Sequence, residues 1–440
     1  MVTISSLAIY VLAFIFVLGV LIFIHELGHF LVARFFGIGV QVFSLGFGKR
    51  LVGFRSGNTD YRISMIPLGG YVKMAGENPG EELTGSPEEF LSRPKMERFW
   101  VAIAGPVMNL ALAVVLLAAA FMIGQEVLEY LGRSPTIGAV APDSPALLAG
   151  LRAGDTIVSV DGRKTPTWKE AEFRIGINPN RTLAIEFVRD GTEMRTSVAT
   201  EGTPDGIGRI GISPFFPFLV TEVTPDSAAE EAGIREGDEI ISVQDNGKRR
   251  RGFFAIKQVV EASQGRPLRF EIGRDGEVTF QAIAPRITEE GLRLGAAIEY
   301  ETRERQLGPV EAFRQSLGDN YELAVLTFVT VGRLITGNSS MKQLSGPIEI
   351  AKFSGRAAIL GVVPLLSLMA VISLQLGLLN LFPIPILDGG LIALLAIEGL
   401  MGRDLSLEMK ERIFKVGFVF IVLLMGVVLF NDLAKNLSGF

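Results

Sequence analysis

The stretch FIHELGHFLVARFF, Phe23 to Phe36, decides how the rest of this chain is interpreted. Everything from residue 1 to residue 24 is uncharged, and most of it is strongly apolar. Such a run predicts a retained membrane-spanning helix, because it lacks the basic N-terminal region and the cleavage site of a secretory signal peptide. An acidic side chain in a membrane helix costs roughly 2.5 to 3.5 kcal/mol on insertion scales, so His25, Glu26 and His29 indicate a functional site.

The composition is that of a membrane protein. Of the 440 residues, 48% are hydrophobic and 20% are charged, and the mean hydropathy is +0.39. The net charge is -5 without any basic block, which excludes a nucleic-acid-binding protein. Because the chain has no cysteine, disulfides and thiolate metal sites are excluded as well. His25 and His29 are the only histidines, so a bound metal must also use Asp or Glu.

Four segments are long and apolar enough to cross a bilayer, which needs about 20 helical residues. They are predicted at about 6–34, 99–124, 360–387 and 413–430. The connection between the first two, from Arg34 to Arg98, is rich in Lys and Arg, which predicts a cytoplasmic loop. HExxH then lies near the cytoplasmic side, and residues 125–356 and both termini lie on the opposite face. In a bacterium this arrangement is a multi-pass inner-membrane protein with a large periplasmic region.

An internal repeat occupies the region between the second and third spans. VAPDSPALLAGLRAGDTIVSVDG, from Val140, aligns with VTPDSAAEEAGIREGDEIISVQD, from Val223, with 13 of 23 positions identical at a constant offset of 83. In each copy a short helix ends at an Ala-Gly pair, and a Gly-Asp turn leads into an alternating strand. The pattern resembles the circularly permuted PDZ domains of bacteria, which bind extended peptides or C-termini at a sheet edge. We predict one such domain at 125–205 and a second at 206–305, followed by interfacial amphipathic helices at 306–356.

HExxH places two imidazoles one turn apart on a helix face, where both can bind one zinc ion with Glu26 beside them as a base. The pattern alone is weak, because three polar residues on a helix can also be solvated or satisfied without metal. A catalytic zinc site usually has three protein ligands, so the third must be an Asp or Glu far from Glu26. In LLNLFPIPILDGG, Asp388 closes an uncharged run of 31 residues, and Pro383 and Pro385 interrupt the helix before it. Asp388 is the predicted third ligand, and the alternative is a simple helix-ending turn.

Asn380 is a second polar residue in the same apolar segment. It can bridge neighbouring helices through hydrogen bonds, as polar residues in membrane helices often do. It can instead bind a substrate carbonyl or the oxyanion that forms during hydrolysis. The residue types alone leave both roles open.

HExxH in the first span together with NxxPxxxxDG at 380–389 resembles the site-2 protease family of intramembrane zinc proteases. Three further segments resemble sequence motifs of this family, namely GFGKRL at 46–51, GGYVKM at 69–74 and GPVMN at 105–109. The resemblance therefore covers essentially the whole chain. It implies that His25, His29 and Asp388 bind zinc. It also implies that Glu26 is the general base and acid and that Asn380 positions the substrate.

The resemblance further implies a fold and a set of partners. The fold is a four-span α-helical membrane protein with a membrane-reentrant β-sheet at about 40–75 and two inserted α+β PDZ domains. Implied substrates are single-span membrane proteins already cut outside the membrane, such as an anti-sigma factor, and remnant signal peptides. The unwound substrate would be added as a strand to a sheet edge, and the alternative for this segment is an ordinary amphipathic cytoplasmic hairpin. The implied edge consists of Gly69, Gly70, Tyr71, Val72, Lys73 and Met74.

Two other functional classes compete with the intramembrane zinc endopeptidase. A non-catalytic membrane scaffold would bind exposed C-termini at its PDZ pair and hold a structural metal at HExxH. A transporter is disfavoured, because the four spans contain no inverted repeat. The protease hypothesis leads, since the base, the ligands and the polar groups of the late span all fit a hydrolytic zinc site.

Overall fold

The chain divides into two units. A computed structural model describes residues 4–77, 83–203, 206–214, 218–245, 247–251, 253–288, 291–300, 302–337 and 346–437. One unit comprises Met1–Gln125, Gln306–Val331 and Met341–Phe440, and the other comprises Glu126–Arg305 and Gly332–Ser340. The first unit contains the four helices that, among the described residues, are long and apolar enough to cross a membrane.

Two long helices and a sheet begin the first unit. Helix α1 (Ile4–Phe35) is apolar along most of its length, and Gly28 on it lets a second helix approach closely, because a Cβ there would lie 2.5 Å from the carbonyl oxygen of Ala104. The candidate spans Ala8–Phe35 and Lys95–Ile123 overlap the spans predicted at about 6–34 and 99–124. The further elements are β1 (Val40–Ser56), β2 (Thr59–Met74), a 3-10 turn at Phe90–Ser92 and α2 (Lys95–Ile123).

Strands β1 and β2 both bend, so they form a small sheet rather than a simple hairpin. Residues 40–45 of β1 pair with 70–74 on one side and with 60–63 on the other, and residues 60–63 pair in turn with 52–55. Segment 70–74 therefore lies at an edge of the sheet within the described pairing. The predicted β-structure at about 40–75 is present in these strands.

The first copy of the repeat folds into an α+β module with its own core, which includes the buried residues Ile137, Leu151 and Ile157. Gly150 has φ 80°, the left-handed conformation predicted for the end of its short helix. After β3 (Gln125–Leu128) and a 3-10 turn at Glu129–Gly132, the elements are β4 (Ile137–Val140), α3 (Pro145–Leu148), β5 (Thr156–Val160), β6 (Arg163–Lys164), α4 (Trp168–Gly176), β7 (Thr182–Arg189), β8 (Thr192–Ala199), β9 (Glu201–Gly202), β10 (Gly208–Arg209) and β11 (Ile212–Pro214). Strands β6, β5, β7 and β8 form one sheet in that order, while β4 pairs with β11 and β9 with β10.

The second copy repeats this order around a separate core that includes Phe218, Ile240 and Phe270. The elements are β12 (Phe218–Val223), α5 (Ala228–Glu231), β13 (Glu239–Asp245), β14 (Lys248–Arg250), α6 (Phe253–Ala262), β15 (Leu268–Arg274), β16 (Glu277–Ile283), β17 (Arg286–Thr288), β18 (Gly291–Arg293), β19 (Ala296–Tyr300) and β20 (Thr302–Arg305). The main sheet has the strand order β16, β15, β13, β12 and β19, with β14 paired to β13. The last strand, β20, pairs with β3.

The predicted boundary between the two modules, at residue 205, is too early. Strand β11 (Ile212–Pro214) pairs with β4 of the first module, so the first module extends at least to Pro214. The second module begins at β12, whose first residue is Phe218. The repeat signal misplaced this boundary, because a permuted module closes its sheet with a strand that follows the repeated segment.

Five helices follow in the described part of residues 306–440. Helices occur in the predicted interfacial region at 306–356, although residues 338–345 of it lie outside the described residues. The spans Val362–Asn380 and Glu408–Ala434 correspond to the predictions at 360–387 and 413–430, but the third span ends at Asn380 rather than at 387. A helix that begins at Asp388 was not predicted. The helices are α7 (Pro309–Ile335), α8 (Pro347–Leu360), α9 (Val362–Asn380), α10 (Asp388–Met401) and α11 (Leu407–Leu437).

Candidate metal centre

Helix α1 presents two imidazoles on one face. His25 and His29 are separated by one helical turn, and their Nε2 atoms lie 3.2 Å apart. The helix continues through both residues, so the helical backbone itself fixes their spacing. The pair therefore supplies two candidate metal ligands from one helix, without any contribution from a loop.

Asp388 reaches this pair because the backbone turns sharply before it. Helix α9 ends at Asn380, and Ile386 has φ 88°, a strained conformation for a β-branched residue. Asp388 then begins α10, and its carboxylate oxygens lie 3.2 Å from Nε2 of His25 and 3.4 Å from Nε2 of His29. The Asp-Gly-Gly segment is thus the start of a helix and not the end of one.

Two glycines after Asp388 allow the turn to fold back on α10. A Cβ at Gly389 would lie 2.2 Å from the carbonyl oxygen of Phe382, and one at Gly390 would lie 2.3 Å from that of Ile384. Any larger residue at either position would force the turn apart. The sequence Asp-Gly-Gly is therefore required for the position of the carboxylate.

The three side chains fit a tetrahedral metal ion. Two ligand atoms that each lie about 2.0–2.1 Å from zinc, at a tetrahedral angle, are separated by roughly 3.3 Å. The two Nε2 atoms lie 3.2 Å apart, and each imidazole faces its own oxygen of Asp388, Oδ2 at 3.2 Å from His25 and Oδ1 at 3.4 Å from His29, so each pair matches this value. Among the described residues, His25, His29 and Asp388 are the only group of three or more His, Cys, Asp or Glu side chains close enough to hold one ion. Their side chains are 12%, 10% and 21% exposed, so a small molecule can still reach the centre.

Residues of helix α2 contact the Nδ1 atoms of both imidazoles and so orient the two rings. Nδ1 of His29 donates to the carbonyl oxygen of Val101 at 2.8 Å, which leaves Nε2 free to bind a metal. Nδ1 of His25 lies 3.3 Å from the side-chain amide of Asn109. Gly105 stands between these contacts, and a Cβ there would lie 2.3 Å from Nε2 of His29. The motif GPVMN, which in the sequence was only a resemblance to the family, therefore places Gly105 and Asn109 against the two histidines.

Glu26 lies between the two histidines and next to the sheet edge. Its carboxylate lies close to the backbone amide of Val72. Gly70 permits this approach, because a Cβ there would lie 3.0 Å from Cγ of Glu26 and 2.9 Å from the carbonyl oxygen of Ser44. The structure therefore brings the edge segment 70–74 and the predicted base together.

The other predicted substrate-binding residues lie at two places. Tyr71 stacks on Phe47 with ring centroids 6.1 Å apart and accepts a hydrogen bond from Arg62. Gly69 has φ 149°, a conformation that favours glycine, and Lys73 and Met74 complete the strand. Asn380 is half-buried at the last position of α9, and among the described residues its side chain shows no hydrogen bond to the three-residue cluster.

A cavity of about 500 Å³ opens beside Asp388. Its lining includes Glu398, which is 1% exposed and pairs with Lys410 at 2.7 Å. Arg98, which is 5% exposed, also lines it. Charged groups along the wall make this cavity suitable for water next to the cluster.

Comparisons with known proteins agree with this site. The sequence profile of Peptidase family M50 matches residues 13–424. The regulator of sigma-E protease of Salmonella typhimurium is 36% identical over 453 residues, which cover 96% of this chain and 98% of the relative. That of Escherichia coli strain K12 is 35% identical over 458 residues, with the same coverage.

Two further matches come from other bacteria. A Ralstonia nicotianae protein whose name proposes a zinc metalloprotease is 34% identical over 466 residues, which cover 97% of this chain and 98% of the relative. A solved PDZ domain of an SdrC-like protein from Listeria monocytogenes is 23% identical. It covers 20% of this chain and 92% of that domain, with a TM-score of 0.17.

Proposed function

The chain belongs to Peptidase family M50 and is an intramembrane zinc protease of the inner membrane, and we propose that it cleaves transmembrane segments of single-span membrane proteins. In this proposal His25, His29 and Asp388 bind the zinc, and Glu26 is the general base and acid. The convergence of these three side chains, with nitrogen–nitrogen and nitrogen–oxygen distances of 3.2 to 3.4 Å, from sequence positions about 360 residues apart supports the ligand set most strongly.

Each residue has a defined chemical task. Bound zinc supplies a Lewis acid that makes a water molecule acidic near neutral pH and polarises the scissile carbonyl. Glu26 accepts the proton from the attacking water and delivers a proton to the leaving amine. Its place between the two histidines keeps its carboxylate close to the reacting atoms.

The segment Gly69 to Met74 receives the substrate in this proposal. A transmembrane helix keeps its peptide groups inside its own hydrogen bonds, so it must unwind before hydrolysis. An edge strand supplies replacement partners for the unwound backbone. The contact between Val72 and Glu26 supports this role, since a peptide added along 70–74 would pass next to the base. Asn380 would hold a substrate carbonyl from the end of α9.

The proposed orientation places the zinc site near the cytoplasmic face and both termini and the two modules in the periplasm. The basic connection between α1 and α2 supports it. The sheet formed by 40–74 would dip into the membrane, and its exposed apolar residues Phe47, Val52 and Phe54 fit that location. Water would reach Asp388 through the cavity lined by Arg98 and Lys410.

The two modules are proposed to be a PDZ pair that gates access. They would bind extended peptides or C-termini and so select membrane proteins already cut on the periplasmic side. Several relatives are named regulators of sigma-E protease, which supports an anti-sigma factor as the substrate class, with remnant signal peptides as a second class. Residues 306–356 would lie along the membrane surface.

Glu26→Gln tests this function. The purified variant should keep its zinc and leave a co-expressed single-span substrate uncut, because the amide cannot accept the proton from water. Glu126→Gln, at an exposed position, provides the matched control and should cleave at the wild-type rate. Undiminished cleavage by Glu26→Gln would contradict the assignment of the base.

A further inference from the structure

We propose that Asn109 is a positioning residue for the zinc site and that its amide oxygen accepts a hydrogen bond from Nδ1 of His25. The proposal rests on the proposed function, because it requires His25 to bind zinc through Nε2. It adds α2 as the third element of the site, beside α1 and the start of α10.

The two histidines are held in different ways. Nδ1 of His29 donates to a backbone carbonyl, that of Val101, which no substitution can remove. Nδ1 of His25 faces a side chain, that of Asn109, at 3.3 Å. The orientation of His25 therefore depends on the identity of one residue, and that of His29 does not.

Zinc binding determines which end of the amide must face His25. When Nε2 of a histidine binds a metal, Nδ1 carries the proton and can only donate. The Asn109 amide places Nδ2 toward Nδ1, and its Oδ1 is buried without a hydrogen-bond partner among the described residues. A half-turn of the amide exchanges Oδ1 and Nδ2, so the oxygen becomes the acceptor that His25 needs.

Burial makes this hydrogen bond important. Asn109 is 1% exposed, and a buried amide oxygen without a partner is destabilising. Water cannot easily replace the acceptor at such a site. The bond to His25 is thus the interaction that justifies a polar side chain in an otherwise apolar part of α2.

Helix α9 holds this turn of α2 in place. The Ser373 hydroxyl, which is fully buried, donates to the backbone carbonyl oxygen of Asn109 at 2.8 Å. Four residues further along α9, a Cβ at Gly377 would lie 3.0 Å from the carbonyl oxygen of Pro106, so the two helices pack closely there. Ser373 contacts the backbone of Asn109 and not its amide, which makes it a suitable control position.

Zinc affinity of the full-length protein, measured by competition with a chelator, tests the proposal. Asn109→Leu removes the acceptor at similar volume, and the loss of a hydrogen bond that orients a metal-binding histidine lowers metal affinity by about 10 to 100-fold. Asn109→Asp retains an acceptor oxygen and should bind zinc at least as tightly as the wild type. Ser373→Ala should stay within a few-fold of the wild type. The absorption spectrum of the Co²⁺-substituted protein should change in Asn109→Leu and not in Asn109→Asp.

Two results would overturn the role of Asn109. One is wild-type zinc affinity in Asn109→Leu, and the other is an equal loss in the Leu and Asp variants, which indicates helix packing instead. His25→Ala, measured in parallel, separates this inference from the proposed function. If His25→Ala loses zinc while Asn109→Leu keeps it, only the role of Asn109 fails. If His25→Ala keeps zinc at wild-type affinity, the ligand set itself fails.

Discussion

Asp388 in the first unit and Asp155 in the first module are both shielded carboxylates, but their partners differ. Asp155 accepts two hydrogen bonds from the Arg189 guanidinium at 2.7 Å and one from the backbone N–H of Arg152 at 2.7 Å. Asp388 has two imidazole nitrogens at 3.2 and 3.4 Å, and among the described residues it forms no ion pair with Lys or Arg. Within the protein, Arg189 neutralises the charge of the Asp155 carboxylate. The Asp388 carboxylate instead fits a site in which a bound cation would neutralise it.

The second module contains the same kind of carboxylate–arginine pair as the first, which strengthens the contrast with Asp388. In the second module Asp238 accepts from the Arg274 guanidinium at 2.6 Å and from the backbone N–H of Arg235 at 2.8 Å, so the same arrangement occurs twice. Duplicated polar contacts at matching positions stabilise each module. The cluster around Asp388 has no duplicate among the described residues, and its members come from opposite ends of the chain.

Among substitutions that keep all three proposed ligands, Gly105→Ala should have the largest effect on the cluster of His25, His29 and Asp388. Its Cβ would lie 2.3 Å from Nε2 of His29, so the imidazole must move away from the metal position. We expect zinc affinity to fall by about 10- to 100-fold, the range of losses from disturbed ligand orientation, and cleavage to fall with it. Chelator competition measures the effect. Gly19→Ala on α1, where a Cβ has nothing within 4 Å, should leave zinc affinity unchanged.

Asp238→Ala should have a large effect on stability and none on metal binding. Removing one partner of a fully buried ion pair destabilises by about 3–5 kcal/mol, and the 28% exposure of Arg274 reduces the expected loss to about 2–3 kcal/mol. Hydrogen exchange of β13 and β15 in the full chain measures it, with zinc content determined on the same sample. The control is Glu261→Ala, which removes an exposed pair with Lys257 at 3.9 Å and should change protection little. Equal protection in Asp238→Ala and Glu261→Ala would contradict the structural role of the pair.

The smallest expected effect is a pH dependence in the second module. Burial raises the pKa of Asp238, but hydrogen bonds from Arg274 and from the Arg235 backbone lower it by more, so the folded pKa lies below the ordinary 3.8. The stabilisation is therefore fully present above about pH 4 and is lost as the pH falls through the folded pKa. Comparing exchange rates of Asp238→Asn and wild type at each pH cancels the intrinsic pH dependence. The difference should shrink below pH 4, and a difference that grows there would reverse the sign of the linkage.

The sequence predicted those parts of the site that follow from the residue composition and from the spacing of residues along a helix. With no cysteine and two histidines, elimination led to Asp388, and the structure brings it to His25 and His29. The spacing of HExxH fixed two ligands on one helix face. The short helix, the Gly-Asp turn and the following strand of each module were predicted from the repeat, since related segments fold alike.

Other features needed the three-dimensional structure. Helix α10 was missed because its 14 residues are too few to span a bilayer and the preceding Pro383 and Pro385 suggested a loop. Strand β11 was assigned to the wrong module because pairing across more than 70 residues leaves no local pattern. Asn109 could have been found, since it is a polar residue in an uncharged span, the signal that identified Asn380.

Zinc binding by Asp388→Ala, beside Asp155→Ala, tests the central claim most directly. The full-length wild type should bind one zinc ion per chain in the presence of a competing chelator. Asp388→Ala should lose at least about 100-fold in affinity, because a three-ligand site is reduced to two histidines. Asp155→Ala should keep wild-type affinity, since its carboxylate is bonded to Arg189. Undiminished zinc affinity in Asp388→Ala would contradict the assembly of the site from α1 and α10.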